Sequence, residues 1–206
     1  MKNSPSTSQS KPQLILGSSS PYRRELLERL RLPFTVVSPQ IDETPLANET
    51  PPETALRLAV AKARHIAQSH PQALIIGADQ VATVNGEQIG KAGCFDKALA
   101  QLQAMRGQTV LFHSALCLYD ARNDSVDARD IITRATFRDL PDDELSAYLR
   151  IEQPYDCAGS AKVEALGITI LEKVESDDPT ALIGLPLIAL TDMLRKAGVD
   201  LYGDAS

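Results

Sequence analysis

Three large apolar residues, Leu14-Ile15-Leu16, run into Gly17-Ser18-Ser19-Ser20-Pro21 and then into leucines at helical spacing, Leu26, Leu27 and Leu30. An unbroken apolar run suits a strand buried on both faces, which needs helices on either side of a sheet. The helix that follows is predicted to take Ser20 as its N-cap and Pro21 as its first residue. Its first turn breaks the usual rule. The positive end of a helix favours carboxylates by about 0.3–1 kcal/mol each, and a capping box would place Glu or Gln at 23. Arg23 and Arg24 stand there instead. Guanidinium groups beside free N–H groups and a serine cluster are unfavourable unless an anion fills the site, so the turn reads as a phosphate cradle. Taken alone, it reads equally as a capped helix with solvated arginines.

A second unbroken run, Leu74-Ile75-Ile76-Gly77-Ala78, ends in Asp79. Ligands of open α/β sheets bind at the carboxyl ends of strands, which places this carboxylate where chemistry usually sits. Asn85-Gly86 then predicts a two-residue hairpin. Pairing Val84 with Glu87 and counting outward sets Gln80 opposite Lys91. Strict alternation puts Asp79 and Gln80 on opposite faces, so Asp79 and Lys91 would need a twist or bulge to meet one ligand.

Elsewhere the pattern predicts a strand over 34–37 and the polar loop 38–45. A helix opened by a Thr50/Glu53 capping box runs to about 69, with an alanine-rich packing face and Lys62 off that face. Further helices are expected over 96–105, 141–150 and 186–196, and strands over 109–119, 126–137 and 168–174. A loop of small residues, 158–164, precedes the last strand. Apart from 1–12, expected to be a disordered leader, the chain reads as one α/β domain over 13–206.

Composition narrows the function. A formal net charge of -6 argues against a broad nucleic-acid surface, while allowing a local basic pocket for a phosphorylated small molecule. Cys94, Cys117 and Cys157 match no zinc or redox spacing, and His65, His70 and His113 form no H-x-x-x-H pair. Sparse cysteines, no apolar run of membrane-spanning length and no signal-peptide pattern point to a cytoplasmic protein without a membrane partner. There is no P-loop and no G-x-G-x-x-G. Basic groups at 23, 24, 62, 91 and 162 with carboxylates at 42, 43, 79 and 164 suit a polyphosphate, held with a hard cation such as Mg²⁺ or Mn²⁺ or attacked by activated water.

In order along the chain, Ser18-Ser19-Ser20-Pro21-Tyr22-Arg23-Arg24, Asp42-Glu43-Thr44, Lys62-Ala63, Gly77-Ala78-Asp79-Gln80-Val81, Gly90-Lys91 and the loop 159–164 resemble the Maf-type nucleotide pyrophosphatases. The likeness spans about 14–200. It implies an elongated mixed sheet flanked by helices, with a cleft between two lobes. It also implies hydrolysis of nucleoside triphosphates between the α- and β-phosphates with a divalent cation, Mg²⁺ or Mn²⁺. By position, Asp79 is the implied general base, and Ser18, Arg23, Arg24, Lys62 and Lys91 are implied phosphate contacts. Glu43, with Asp79, is an implied metal or water ligand. Gln80 and Lys162-Val163-Glu164 are similar to the branch acting on 7-methyl-GTP (m7GTP), which marks Tyr22, Gln80 and Glu164 as the expected specificity positions. A methylated guanine is cationic and would gain cation–π attraction from Tyr22, and a Glu164 carboxylate could accept two N–H groups from its edge. The family precedent implies a house-cleaning role. The alternatives are a dTTP/UTP pyrophosphatase and a non-catalytic nucleotide-binding regulator of cell division; a homodimer is left open. Ala92 after Lys91 and Ala165 after Glu164 depart from the residues usual there, Pro and Gly.

Overall fold

The computed structural model describes residues 12–203; all of the expected leader except Pro12 lies outside them. The two apolar runs lie side by side at the centre of a seven-stranded mixed sheet. β1 (Leu14–Gly17) pairs in parallel with β3 (Leu74–Val84), Leu14 opposite Leu74 and Gly17 opposite Gly77, and with the short edge strand β2 (Thr35–Val36). The hairpin strand β4 (Glu87–Ile89) returns on β3, with Val84 opposite Glu87 as the Asn85-Gly86 turn dictates. β5 (Thr109–Asp120), β6 (Ser125–Phe137) and β7 (Leu171–Ser176) continue antiparallel, giving the order β2-β1-β3-β5-β6-β7 with β4 attached to β3.

Alternation along β3 and β5 assigns the helices to faces. Ile75, Ala115, Cys117 and Tyr119 pack with Ala55, Ala59 and Ala63 of α2 (Pro51–Ala67). On the opposite face, Leu74, Ile76, Leu116 and Leu118 form a core with α1 (Pro21–Glu28) and α5 (Leu187–Lys196). Farther along that face Ala82, Val110, Phe112 and Ala135 form another, with α3 (Phe95–Met105) and α4 (Asp142–Glu152). These two cores are the two lobes. Between them stand Gln80 and Ser114, direct cross-strand partners.

Local signals set most element ends. Ser20 Oγ accepts the Arg23 N–H at 3.4 Å, and the Glu53 carboxylate accepts the Thr50 N–H at 2.8 Å. Gly77 is required by packing. A Cβ there would lie 2.0 Å from the Ala59 carbonyl oxygen, so the absent side chain is what lets α2 rest on β3.

Two expectations fail. The strand expected over 168–174 begins only at Leu171, because Leu166–Ile170 forms a 3-10 turn. The turn is held from outside its own sequence, by Glu152 accepting the Leu166 N–H at 3.0 Å and by the Lys162 carbonyl accepting that of Gly167 at 2.9 Å. Nor does Lys91 face Gln80. Pairing of β4 stops at Ile89, and Lys91 bridges to Ala158 instead.

Candidate active site

The site grows from a gap in the sheet. Along one edge of β3, β1 covers 74–77 and β4 covers 82–84, while β5 covers the other edge from Leu74 to Thr83. Residues 78–81 are left uncovered on the first edge. A cavity of about 580 Å³ opens there, and side chains from both faces of β3, Asp79 and Gln80, reach it without a bulge. Its walls also carry Ser18, Tyr22, Arg23, Glu43, Lys62, Lys91 and Glu164.

Arg23 bridges the gap. Its Nη1 donates to the Ala78 carbonyl at 3.0 Å and to Ser18 Oγ at 3.4 Å, and its Nε donates to the Gly184 carbonyl at 2.9 Å. Nη2 keeps two N–H donors with no protein acceptor among the described residues. Burial pulls the guanidinium below its ordinary value and the fields of Asp79 and Glu43 push it back up. Ser18 is buried, its hydroxyl oxygen also accepting the Ser20 N–H at 3.2 Å. The turn is therefore folded around a fixed positive charge that still has donors to give.

Lys62 comes from α2 and is buried, not solvated off the alanine face. Its Nζ lies 2.7 Å from Asp79 Oδ1 and 2.9 Å from Glu43 Oε1. The Asp79 side chain is 14% exposed and that of Glu43 58%, so one carboxylate is sunk in the floor and the other stands at the rim. The loop bearing Glu43 is tied down by Arg57, which donates to the Glu49 carboxylate and to the Thr44 carbonyl at 3.1 Å. That pair holds the Glu49 carboxyl at about 2. Lys91 stands exposed at the cavity, its backbone bridged to Ala158, without an ion pair among the described residues. Arg24 is not brought to the cavity. It pairs with Glu28 at 2.9 Å on the outer surface, because neighbouring helix residues point about 100° apart.

Gln80 lines the cavity but its amide is committed. Nε2 contacts Ser114 Oγ at 3.0 Å and the carbonyls of Ala181 and Leu182, both at 3.1 Å. Three acceptors around one NH₂ fix its orientation and leave the carbonyl oxygen as the group it can offer a ligand. The segment it braces, 181–184, was missed by sequence reasoning. Gly184 has φ +117°, a conformation suited to glycine. The buried Asp178 ties the segment to α5, its carbonyl accepting the Ala181 N–H at 3.0 Å and its carboxylate those of Ile188 and Ala189 at 2.7 and 3.1 Å. Asp178-Pro179 is a turn signal that could have flagged it.

Another part of the wall is made by Tyr22 with Ala158, Ala161 and Glu164 of the 158–164 loop. Lys162 Nζ sits 5.7 Å from the Tyr22 ring centroid and 3.0 Å from Glu152 Oε1. Tyr22 lines the cavity and Lys162 does not. Burial, then Cys157 and Asp156, raise the Tyr22 hydroxyl. Burial pushes the Cys157 thiol up to about 12, which leaves it neutral and unreactive. Glu164 reaches the cavity from the loop, and burial raises its carboxyl above the usual range.

No group of three or more His, Cys, Asp or Glu side chains able to hold a metal occurs among the described residues, and no described helix is long and apolar enough to cross a membrane. Chemically, the arrangement offers a fixed guanidinium and two lysines around a partly buried carboxylate, open to a ligand of nucleotide size.

Residues 13–197 match the family described as Maf-like protein. A protein named 7-methyl-GTP pyrophosphatase from Cupriavidus metallidurans is 67% identical over 197 residues, covering 96% of this chain and 99% of its own. One of the same name from Burkholderia pseudomallei is 66% identical, covering 94% and 92%. The solved structure of a HAM1 protein from Coxiella burnetii is similar at a TM-score of 0.45 and 18% identity, covering 64% of this chain and 75% of that one. With the family match running from the first strand of the sheet through its last helix, this chain belongs to the Maf-like proteins.

Proposed function

We propose that this protein hydrolyses the α–β phosphoanhydride of m7GTP, giving m7GMP and pyrophosphate, and so removes a modified nucleotide from the cell. The observation that carries the reaction is the shared hollow: the donors of the opening turn and the carboxylate at the end of the central apolar run face one cavity. The names borne by relatives as similar as 67% supply the base.

In this reading Arg23 Nη2, Ser18 and Lys91 hold the triphosphate, and Lys62 adds a second charge beside the attacked phosphorus. Asp79, held by Lys62 through Oδ1 alone, takes the proton of the attacking water through Oδ2. Pyrophosphate leaves as the new P–O bond forms. The donors are fixed before the substrate arrives, so they stabilise developing charge without reorganising.

A divalent cation fits this donor set. Glu43 and Asp79 both contact the Lys62 ammonium, through Oε1 and Oδ1, which brings the two carboxylates together and leaves their other oxygens free of it. Mg²⁺ takes one or two carboxylates with water and substrate phosphates rather than a full protein cage. When bound it would neutralise phosphate charge. Glu43 and Asp79 are the residues that would hold it. The base would stack on the cavity side of Tyr22, with Glu164 accepting from its N–H edge and Gln80 offering a carbonyl oxygen. The protein is proposed to act in the cytoplasm.

A panel of m7GTP, GTP, dTTP and UTP, with pyrophosphate detection in Mg²⁺, in Mn²⁺ and after EDTA, tests the proposal. The expected result is pyrophosphate release highest with m7GTP and abolished by EDTA. Preference for dTTP or UTP would overturn the substrate, and nucleotide capture without turnover would overturn the enzyme.

A further inference from the structure

A carboxylate in the last turn of a helix faces the negative end of the helix dipole, yet α4 ends in Glu152, and its side chain is only 11% exposed. We propose that Glu152 is a positioning residue for substrate choice, its carboxylate cancelling the Lys162 ammonium beside the Tyr22 ring so that the ring keeps its attraction for a cationic base. This rests on the reading that the methylated base stacks on Tyr22.

The geometry separates three contacts. Glu152 Oε1 holds Lys162 Nζ at 3.0 Å, and Oε2 accepts the Leu166 N–H at 3.0 Å. The Lys162 backbone is fixed independently, its N–H donating to the Tyr148 hydroxyl at 3.1 Å. The carboxylate is therefore not the sole anchor of this loop, and its charge can be removed while an oxygen is kept for Leu166. Lys162 Nζ lies 5.7 Å from the Tyr22 centroid. A bare ammonium there would draw on the same π-cloud that a stacked cationic base would use and would repel that base directly. Neutral guanine would feel little of this. Glu164 and Asp156 also line the cavity. The Glu164 carboxyl, raised first by burial, also feels both members of the pair, lowered by Lys162 and raised by Glu152; the ratios are therefore compared at neutral pH, where Glu164 is ionised in every variant.

The test compares kcat/KM for m7GTP and GTP in the full-length protein. Glu152→Gln is expected to lower the m7GTP-to-GTP ratio on the order of fivefold. Lys162→Met, which leaves the acid uncompensated, is expected to raise it. Opposite signs are the signature, since a merely structural role would depress both substrates in both variants. Circular dichroism melts check folding, and should Glu152→Gln fail to fold, the direction of the Lys162→Met shift decides. An unchanged ratio, or shifts of the same sign, would overturn the proposal. Tyr22→Leu is measured in parallel. A ratio lowered there but unmoved by Glu152→Gln rejects only the charge-balancing role, whereas a ratio unmoved by Tyr22→Leu rejects the stacking itself.

Discussion

Asp79 lies 2.7 Å from Lys62, and Lys62 also holds Glu43 at 2.9 Å. Asp79→Asn therefore leaves the lysine partnered. The expected outcome is a fall in kcat of about two to four orders of magnitude, with the urea midpoint close to that of the wild type; full turnover would reject Asp79 as the base. Glu164 supplies a pH test. Burial raises its carboxyl, so on acidification it gains a proton above the ordinary glutamate value of 4.5 and loses one of its acceptors. The m7GTP-to-GTP ratio of kcat/KM should decline as the pH falls toward that value, and Glu164→Gln should flatten the profile at a low ratio. The ratio cancels protonation of the phosphates, which both substrates share. At this scale the sequence was informative where a residue broke a local rule, as Arg23 does at its helix start. It was less so for Arg24, whose i,i+4 partner Glu28 is an equally local explanation, and for Gln80, whose partners lie 34, 101 and 102 residues away.

Among the elements, α2 and β3 depend most closely on each other. A methyl group on residue 77 would meet the Ala59 carbonyl at 2.0 Å, and backbone cannot rotate aside as a side chain can. Gly77→Ala is expected to destabilise the fold by about 3 kcal/mol or more, read as a lowered denaturant midpoint. Activity should fall with it, since α2 carries Lys62. An unchanged midpoint would show that the helix rides farther from the sheet. Elements announced by adjacent residues were legible: the Ser20-Pro21 cap, the Thr50/Glu53 box and the Asn85-Gly86 hairpin all form. The 3-10 turn at Leu166–Ile170 was not. Its apolar spacing suits a strand, and the groups that bend it, Glu152 and the Lys162 carbonyl, are brought there by tertiary packing.

For the whole molecule, the length of the central strands matters most. β3 and β5 each extend through both lobes, joining the core of α1 and α5 to that of α3 and α4. Neither lobe can lose its strands without stripping the other. Urea unfolding is accordingly expected to be one cooperative transition, with far-ultraviolet dichroism and tyrosine fluorescence coinciding; separated transitions would show independently stable halves. The fluorescence samples the α2 face of the sheet through buried Tyr119 and the α3 and α4 lobe through buried Tyr148.

The uncovered stretch of β3 has a consequence for how such a protein can be improved. Its four residues are a place where hydrogen bonding between neighbours has been withheld, with an arginine and a prospective ligand standing in for the missing strand. Replacing Ser18 to Ser20 with residues able to prolong β1 would zip this seam, making a sturdier molecule with nowhere to seat a nucleotide. Selection for heat resistance alone should find that route, and its products should be firm and idle.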